Sequence, residues 1–386
     1  MTGNQERTVV VATPSLEAYG ADLQLSQSVA GAREAGWRVV VVTPAPGRLG
    51  ARLADLGAEL VEVDFPVLRR ASASGAGVAA LGLAVLVALP RLVSTLRRLR
   101  PDALYVNTVT LPWWSLAGRL ARVPTLCHVH EAETGGSRLL RRALTLPLLL
   151  PQLVVVNSRT TGAAVLEVVP RLERRLRHVP NGVPAPPSPP APPRWQQPLR
   201  MVVVGRLSPR KAPEVALEAT AMLRACGYQV TLELVGTPVE GMEWFQDQLR
   251  ARAQEPDLDG SVTLAGYLTP VWPALERADV VLAPSLGESF GNAVVEGQLA
   301  RRPVVATALQ GHLETVVGDE SGLLVPPGDP VALAAAVTRL LEDPALARHL
   351  ADRGQEAAAA NFSVERYRGE IVAVLDEVAS GAPLRR

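Results

Sequence analysis

Cysteine is nearly missing from this 386-residue chain: it has only Cys127 and Cys226, both beside apolar residues. A small secreted fold held by disulfides is thereby excluded, and a reducing compartment fits best. An excess of charge is missing too, with 39 basic against 38 acidic residues and a net charge of +1. Nothing in that balance marks a dedicated nucleic-acid binder. No Gly-x-Gly-x-x-Gly follows the first apolar run and no Gly-Lys pair occurs, which removes the dinucleotide fingerprint and the P-loop. The cysteines lack zinc-site spacing. The polar stretch Met1 to Arg7 runs straight into an apolar strand, so no secretory leader is expected.

What is present is apolar and long. At 41.0 kDa, with 48% apolar and 20% charged residues, the chain can build two ordinary domains, each with its own core. Strand-like runs cover Thr8–Thr13, Arg38–Thr43, Leu60–Val63, Ala103–Val106, Pro124–Val129 and Leu153–Val156, with helical stretches such as Asp22–Ala35 and Leu81–Leu99 between them. Most of the runs are continuously apolar rather than alternating, as in strands buried on both faces. The alternation of strand and helix predicts a parallel sheet covered on both sides.

Residues 181–198 break that pattern. The run from Pro180-Asn181-Gly182-Val183 to Pro193 is too rich in proline for a helix or a central strand and reads as a linker. The pattern then restarts with strands at Leu199–Val204, Gln229–Val235, Ser261–Leu264, Val280–Ala283, Pro303–Ala306 and Gly322–Val325. Helices are predicted at Pro213–Ala225 and Met242–Ala253, and the segment from Val331 to Val378 reads as mostly helical. The expected architecture is α/β: two Rossmann-like, doubly wound parallel-sheet domains, residues 1–180 and 199–362, facing a central cleft at the carboxyl ends of their strands.

Ser74 to Pro90 carries no charge, whereas Arg69 and Arg70 precede it and Arg91, Arg97, Arg98 and Arg100 follow. It is short and glycine-broken for a spanning helix. Two readings stand: a core helix, or an amphipathic helix on an anionic membrane surface. The core helix is the first reading, and the apolar run Leu144–Val156, preceded by Arg138, Arg141 and Arg142, adds some weight to the second.

Three constellations could carry chemistry. His128-Val129-His130-Glu131 places two imidazoles on one strand face, yet reads as a loop-end pair rather than a metal site, and Asp257-Leu258-Asp259 before Gly260 reads as a turn. No metal and no cofactor is expected. Gly205-Arg206-Leu207-Ser208-Pro209-Arg210-Lys211 follows a strand. Gly205 lets a ligand approach the backbone, and Arg206 and Lys211 suit a diphosphate at about 1.5–3 kcal/mol per charge-assisted contact. After Val280–Ala283 comes Pro284-Ser285-Leu286-Gly287-Glu288-Ser289-Phe290-Gly291-Asn292, with Glu296 further on. Gly291-Asn292 should open a helix whose first amides face an anion. Glu288 and Glu296 would repel phosphate, so each should accept hydrogen bonds from hydroxyls, one set on a ribose and one on a sugar.

Glu288-x7-Glu296, together with Arg206-x4-Lys211 and Pro180-Asn181-Gly182-Val183, resembles the retaining glycosyltransferases of glycosyltransferase family 4, with the GT-B fold. The similarity extends to the Gly20 loop, the turn at His130, and the Gly322–Pro327 and Asn361–Tyr367 stretches. It implies that Arg206 and Lys211 hold the donor diphosphate, that Glu296 binds ribose hydroxyls, and that Glu288 binds the sugar. The amides of Phe290, Gly291 and Asn292 would lie beside sugar and phosphate. His130 would contact the sugar, and Gly20 would let the first loop approach the phosphates. Residues 363–386 would form a helix crossing back to the first domain. The chain departs from the family at Tyr19-Gly20-Ala21-Asp22, which has one glycine where many relatives have two, at Pro184, and at Asn292.

The function implied is sugar transfer from a UDP- or GDP-linked donor to a glycan or lipid-linked acceptor, with retention. Soluble acceptors, a nucleotide-sugar epimerase and a non-catalytic nucleotide-sugar-binding protein are the alternatives. A cytoplasmic protein at the inner membrane face is the matching location.

Overall fold

The computed structural model describes residues 6–16, 20–68, 75–131, 138–195, 197–239 and 241–381. Tyr19, Arg69, Arg70 and Ser74, which the sequence reading used, lie outside the described residues. The chain forms two compact units: Met1–Gly182 with Val364–Arg386, and Val183–Ser363. The boundary at Gly182 and Val183 falls inside the stretch expected as a linker. Residues beyond it run over the second unit, where Arg302 Nη1 donates to the Ala191 carbonyl at 2.6 Å.

In the first unit the strands are β1 (Thr8–Ala12), β2 (Arg38–Thr43), β3 (Glu59–Glu62), β4 (Ala103–Val106), β5 (Thr125–Val129), β6 (Leu153–Val156) and β7 (Leu176–His178). The helices are α1 (Gly20–Glu34), α2 (Gly50–Asp55), α3 (Gly75–Leu99), α4 (Pro112–Ala121), α5 (Arg138–Thr145) and α6 (Arg159–Val168). The strands lie parallel in the order β3-β2-β1-β4-β5-β6-β7. β1, β4, β5 and β6 are buried throughout, as their unbroken apolar runs predict. Each buried valine contributes about 1.5–3 kcal/mol of transfer free energy. β7 was not anticipated: its sequence, Leu-Arg-His, is no apolar run, and it pairs only with β6 at the sheet edge.

The second unit has β8 (Leu199–Val204), β9 (Val230–Val235), β10 (Val262–Gly266), β11 (Val280–Ala283), β12 (Val304–Thr307) and β13 (Leu323–Val325). Its helices are α7 (Pro213–Ala225), α8 (Glu243–Ala253), α9 (Trp272–Arg277), α10 (Asn292–Leu299), α11 (His312–Thr315), α12 (Pro330–Glu342) and α13 (Pro344–Asn361). α14 (Val364–Ala379) belongs to the first unit. The sheet order is β10-β9-β8-β11-β12-β13, again parallel. The long helical stretch at the end breaks where Asp343 caps α13, accepting from the Ala345 and Leu346 amides at 3.1 and 2.9 Å, with Pro344 at the first helical position.

In both sheets the chain reverses direction of travel across the first strand: between β1 and β4, and between β8 and β11. In such sheets ligands bind outside the carboxyl ends at that reversal point.

α3 begins at Gly75, ahead of the expected Leu81–Leu99 stretch, and like that stretch runs through Pro90. Ala79–Leu99 is long and apolar enough to cross a bilayer by length and composition alone, which corrects the reading of this region as too short to span. It lies against the unit, with Ala88, Leu92 and Leu96 buried. Its outer stripe is apolar nonetheless, with Leu83, Leu86 and Val87 exposed by 66%, 70% and 52%, so it is not a core helix.

Candidate functional site

Two loops flank the reversal point of the second sheet, one after β8 and one after β11. Gly205 ends β8 with φ +147°, and its amide donates to the Val235 carbonyl at 2.9 Å. Gly236, at φ +149°, ends β9 so close that a Cβ there would stand 1.8 Å from the Gly205 carbonyl oxygen. Only glycine allows that approach. The β8 loop then turns through Ser208, whose carbonyl accepts from the Lys211 amide at 2.9 Å, and α7 begins at Pro213. The Leu286 amide donates to the Arg210 carbonyl at 2.8 Å, which ties this loop to the one after β11.

These links bring Lys211 and Glu288 into a direct ion pair, Nζ to Oε2, with Glu288 buried. Burial pushes the Glu288 carboxyl upward, but Lys211, His312 and Arg210 together outweigh it and hold it below the usual range. Glu296 sits in α10, half-buried. There burial wins: it raises the carboxyl from 4.5 to about 7, with Lys211 opposing. Lys211 therefore serves both carboxylates. It is also the only lysine in the chain, among 38 arginines. In a sequence that uses arginine for every other cation, a compact ammonium kept at this point is a signal the motif reading missed.

Gly291 precedes α10 with φ +106°, and its carbonyl accepts from the Val294 amide at 3.0 Å. Phe290 is a core side chain, set edge-on to Phe362 with ring centroids 5.3 Å apart. Only its backbone is available to a ligand. Asn292 opens the helix, half-buried. Arg206 lies exposed at the mouth of the β8 loop.

A third loop, after β12, supplies residues that sequence reasoning did not find. Gln310 Oε1 accepts from the Glu288 amide at 2.7 Å, and the Gly311 amide donates to the Glu288 carbonyl at 3.0 Å. A Cβ on Gly311 would stand 2.4 Å from Phe290 Cα. His312 is buried beside Gly291, with Nδ1 3.1 Å from the Thr307 carbonyl. Burial lowers its pKa to about 4, so at neutral pH it is an uncharged imidazole that donates from Nδ1. A lone histidine and a lone glutamine carry no motif, and only the fold draws them to Glu288.

The first unit carries the other two expected residues. Gly20 is the first residue of α1. His130 directly follows β5, buried, with Nε2 3.0 Å from Asn107 Oδ1, while its carbonyl accepts from Asn157 Nδ2 at 3.0 Å. An amide oxygen only accepts, so Nε2 carries the proton and Nδ1 a lone pair. Burial lowers the His130 pKa to about 4. Among the described residues, no group of three or more His, Cys, Asp and Glu is gathered as a metal site.

Comparison with known proteins places this geometry in context. Residues 20–185 match the family described as Glycosyltransferase Family 4, and residues 198–343 match Glycosyl transferases group 1. A phosphatidyl-myo-inositol mannosyltransferase of Mycobacterium leprae is 31% identical over 280 residues, 69% of each chain. A D-inositol 3-phosphate glycosyltransferase of Salinispora tropica is 39% identical over 184 residues, 46% of this chain and 38% of that protein. The alignments span under half the length of the D-inositol 3-phosphate glycosyltransferases that the chain matches. In fold, the chain is similar to Anabaena HepE in complex with UDP-glucose, with a TM-score of 0.81 and 23% identity over 96% of this chain and 99% of that one.

Proposed function

The chain belongs to glycosyltransferase family 4, and from that premise we propose that it transfers a sugar from a nucleoside-diphosphate donor to an acceptor hydroxyl, with retention. The observation that carries this reading is the Lys211–Glu288 pair with Glu296 at the reversal point of the second sheet. One cation between two carboxylates is poised for exchange. An arriving diphosphate takes Lys211, with Arg206 and the amides of Phe290, Gly291 and Asn292, and Gly205 leaves room for its approach. Glu288, released from Lys211, accepts the sugar hydroxyls, and Glu296 accepts those of the ribose. His130 offers the sugar an uncharged contact, and Gly20 clears the first loop for phosphate.

The same contacts that bind the diphosphate stabilise it as a leaving group, where charge grows in the transition state. The acceptor attacks from the face the diphosphate leaves, and a donor phosphate oxygen takes its proton. UDP is the first base to test, because the HepE neighbour holds UDP-glucose; GDP is the second. Calorimetric titration of UDP, GDP, ADP and dTDP into the wild type, Arg206→Ala and Lys211→Ala checks the reading. One nucleotide should bind preferentially and lose affinity in both variants. Binding unchanged in Lys211→Ala would sink it.

The outer stripe of α3 favours a lipid-linked acceptor, in cell-envelope glycan or glycolipid synthesis, over a soluble one. No acidic residue occurs from Gly75 to Arg100, and the apolar face of Leu83, Leu86 and Val87 continues into exposed Arg91, Arg97 and Arg98. Each arginine near an anionic lipid surface is worth about 1 kcal/mol. The protein should sediment with anionic vesicles and not with neutral ones, and Leu83→Ser with Leu86→Ser should release it. Equal recovery with neutral vesicles would refute the membrane assignment.

A further inference from the structure

We propose that Tyr105 and His128 are positioning residues for His130, and that α14 holds them in place through Tyr367 and Ser28. The proposal rests on reading His130 as a donor-sugar contact.

β4 and β5 are parallel neighbours, and residues two apart on a strand share a face. Tyr105 and Asn107 therefore stand on one face of the first chain segment, and His128 and His130 on the same face of the next. Each side chain reaches a partner on the neighbouring segment. The Tyr105 hydroxyl lies 2.7 Å from His128 Nδ1, and Asn107 Oδ1 lies 3.0 Å from His130 Nε2. These two contacts form successive rungs that climb toward the carboxyl end of the sheet. The rungs touch, because the His128 and His130 rings have centroids 3.9 Å apart and planes tilted by 33°.

The lower rung is anchored from outside the sheet. Ser28 Oγ, on α1, lies 3.3 Å from the Tyr105 hydroxyl and 2.6 Å from the Tyr367 hydroxyl on α14. Every member is buried, and no charged side chain takes part. His130 has one side-chain hydrogen bond, to Asn107, and its Nδ1 has no partner among the described residues. One bond leaves an imidazole free to rock about its outer torsion, and what blocks that motion is the ring of His128. His128 is in turn fixed by Tyr105, since its own Nε2 has no partner among the described residues. Held this way, the His130 ring keeps one orientation at the carboxyl end of the sheet.

The test uses the full chain labelled with ¹⁵N-histidine. The Nε2–H proton that His130 donates to Asn107 should exchange slowly with water in the wild type. It should exchange about tenfold faster in Tyr105→Phe and in His128→Phe, which both break the Tyr105–His128 hydrogen bond and keep a ring, and be lost in His128→Ala. With the donor identified by the nucleotide titration, kcat should fall about tenfold in Tyr105→Phe and in His128→Phe, and further in His128→Ala, with acceptor KM unchanged. Added to His130→Ala, none of these substitutions should lower kcat further. Wild-type exchange and kcat in Tyr105→Phe, which loses one oxygen and keeps the fold, would overturn the proposal, and so would equal losses in His128→Phe and His128→Ala. Full turnover in His130→Ala would overturn the donor-contact reading by itself, independently of the exchange result.

Discussion

The two sheets share a strand order apart from the added β7, yet the ends of their central strands are furnished in opposite ways. Beyond β8 and β11 stand a lysine and two carboxylates, one below and one above its ordinary pKa. At the carboxyl ends of β4 and β5 stand Tyr105 and His128 within the strands and Asn107 and His130 just after them, with burial holding both imidazoles uncharged. One topology thus supports a charged site and a neutral one. The charged end suits a ligand that brings its own charge and must lose it as leaving group. The neutral end suits hydroxyls, which need direction and no field.

The comparison breaks most sharply at Lys211. Lys211→Ala should lower kcat/KM by about 10²–10³, the usual cost of removing a group that stabilises developing negative charge. It should also destabilise the second unit by about 2–3 kcal/mol, because Glu288 stays buried without its partner, with a discount for the partial exposure of Lys211. Adding Glu288→Gln should restore the melting temperature but not turnover. That split, read by calorimetry and initial rates, separates the structural share of the pair from the functional one. Recovery of turnover in the double variant would show that Lys211 only neutralises Glu288.

A smaller effect sharpens the contrast through pH. The folded state holds the Glu296 proton more tightly than the unfolded chain, with the pKa raised from 4.5 to about 7. Its stabilising contribution is therefore complete below about pH 4.5 and is lost as pH rises through 7. Glu296→Gln should gain stability over the wild type at pH 8 and not at pH 4. Binding runs the other way, because an ionised carboxylate accepts both ribose hydroxyls. Nucleotide affinity should rise about tenfold from pH 6 to pH 8 and flatten in Glu296→Gln. His130, near 4, does not titrate in that window, so His130→Gln should keep the slope. Loss of the slope there would assign it to the neutral end.

Legibility followed the same division. Most of the twelve strands read from sequence are buried and continuously apolar, as parallel strands covered on both faces must be. The less buried edge strands β3 and β10 still carry an apolar pair or an alternation, whereas β7, Leu-Arg-His, carries neither. The charged end was legible at Arg206, Lys211, Glu288 and Glu296, since charge next to a strand end needs a reason. That Lys211 and Glu288 pair with each other was not, for their 77-residue separation is closed only by the fold. The neutral end showed the His128 and His130 pair, but a site role for His130 alone. Tyr105, Ser28 and Tyr367 are ordinary core residues in sequence, and their line to His128 exists because α1 and α14 cross the same sheet face. The start of α3 was read late, at Leu81 rather than Gly75, because Gly75, Gly77 and Gly82 are helix breakers on average, whereas its course through Pro90 to Leu99 was expected.

The smallest expected effect lies at Gln310, where the charged end has its own positioning contact. Gln310 stands at φ +39°, a left-handed conformation that strains any side chain, while its Oε1 holds the Glu288 amide at 2.7 Å. Gln310→Gly relieves strain of about 1–2 kcal/mol and forfeits a hydrogen bond of about 0.5–1.5 kcal/mol. Stability should therefore move by less than about 1 kcal/mol in either direction, within the reach of denaturant melts. Donor KM should still rise a few-fold, because the loop carrying Glu288 loses the contact that fixes its amide while Lys211 continues to hold the carboxylate. Gln310→Ala keeps the strain and loses the bond, so it should be less stable than Gln310→Gly by about 1 kcal/mol with the same KM. An unchanged KM in both variants would mean that the Lys211 pair alone sets the loop, and that the charged end, unlike the line behind His130, positions its groups by electrostatics without help.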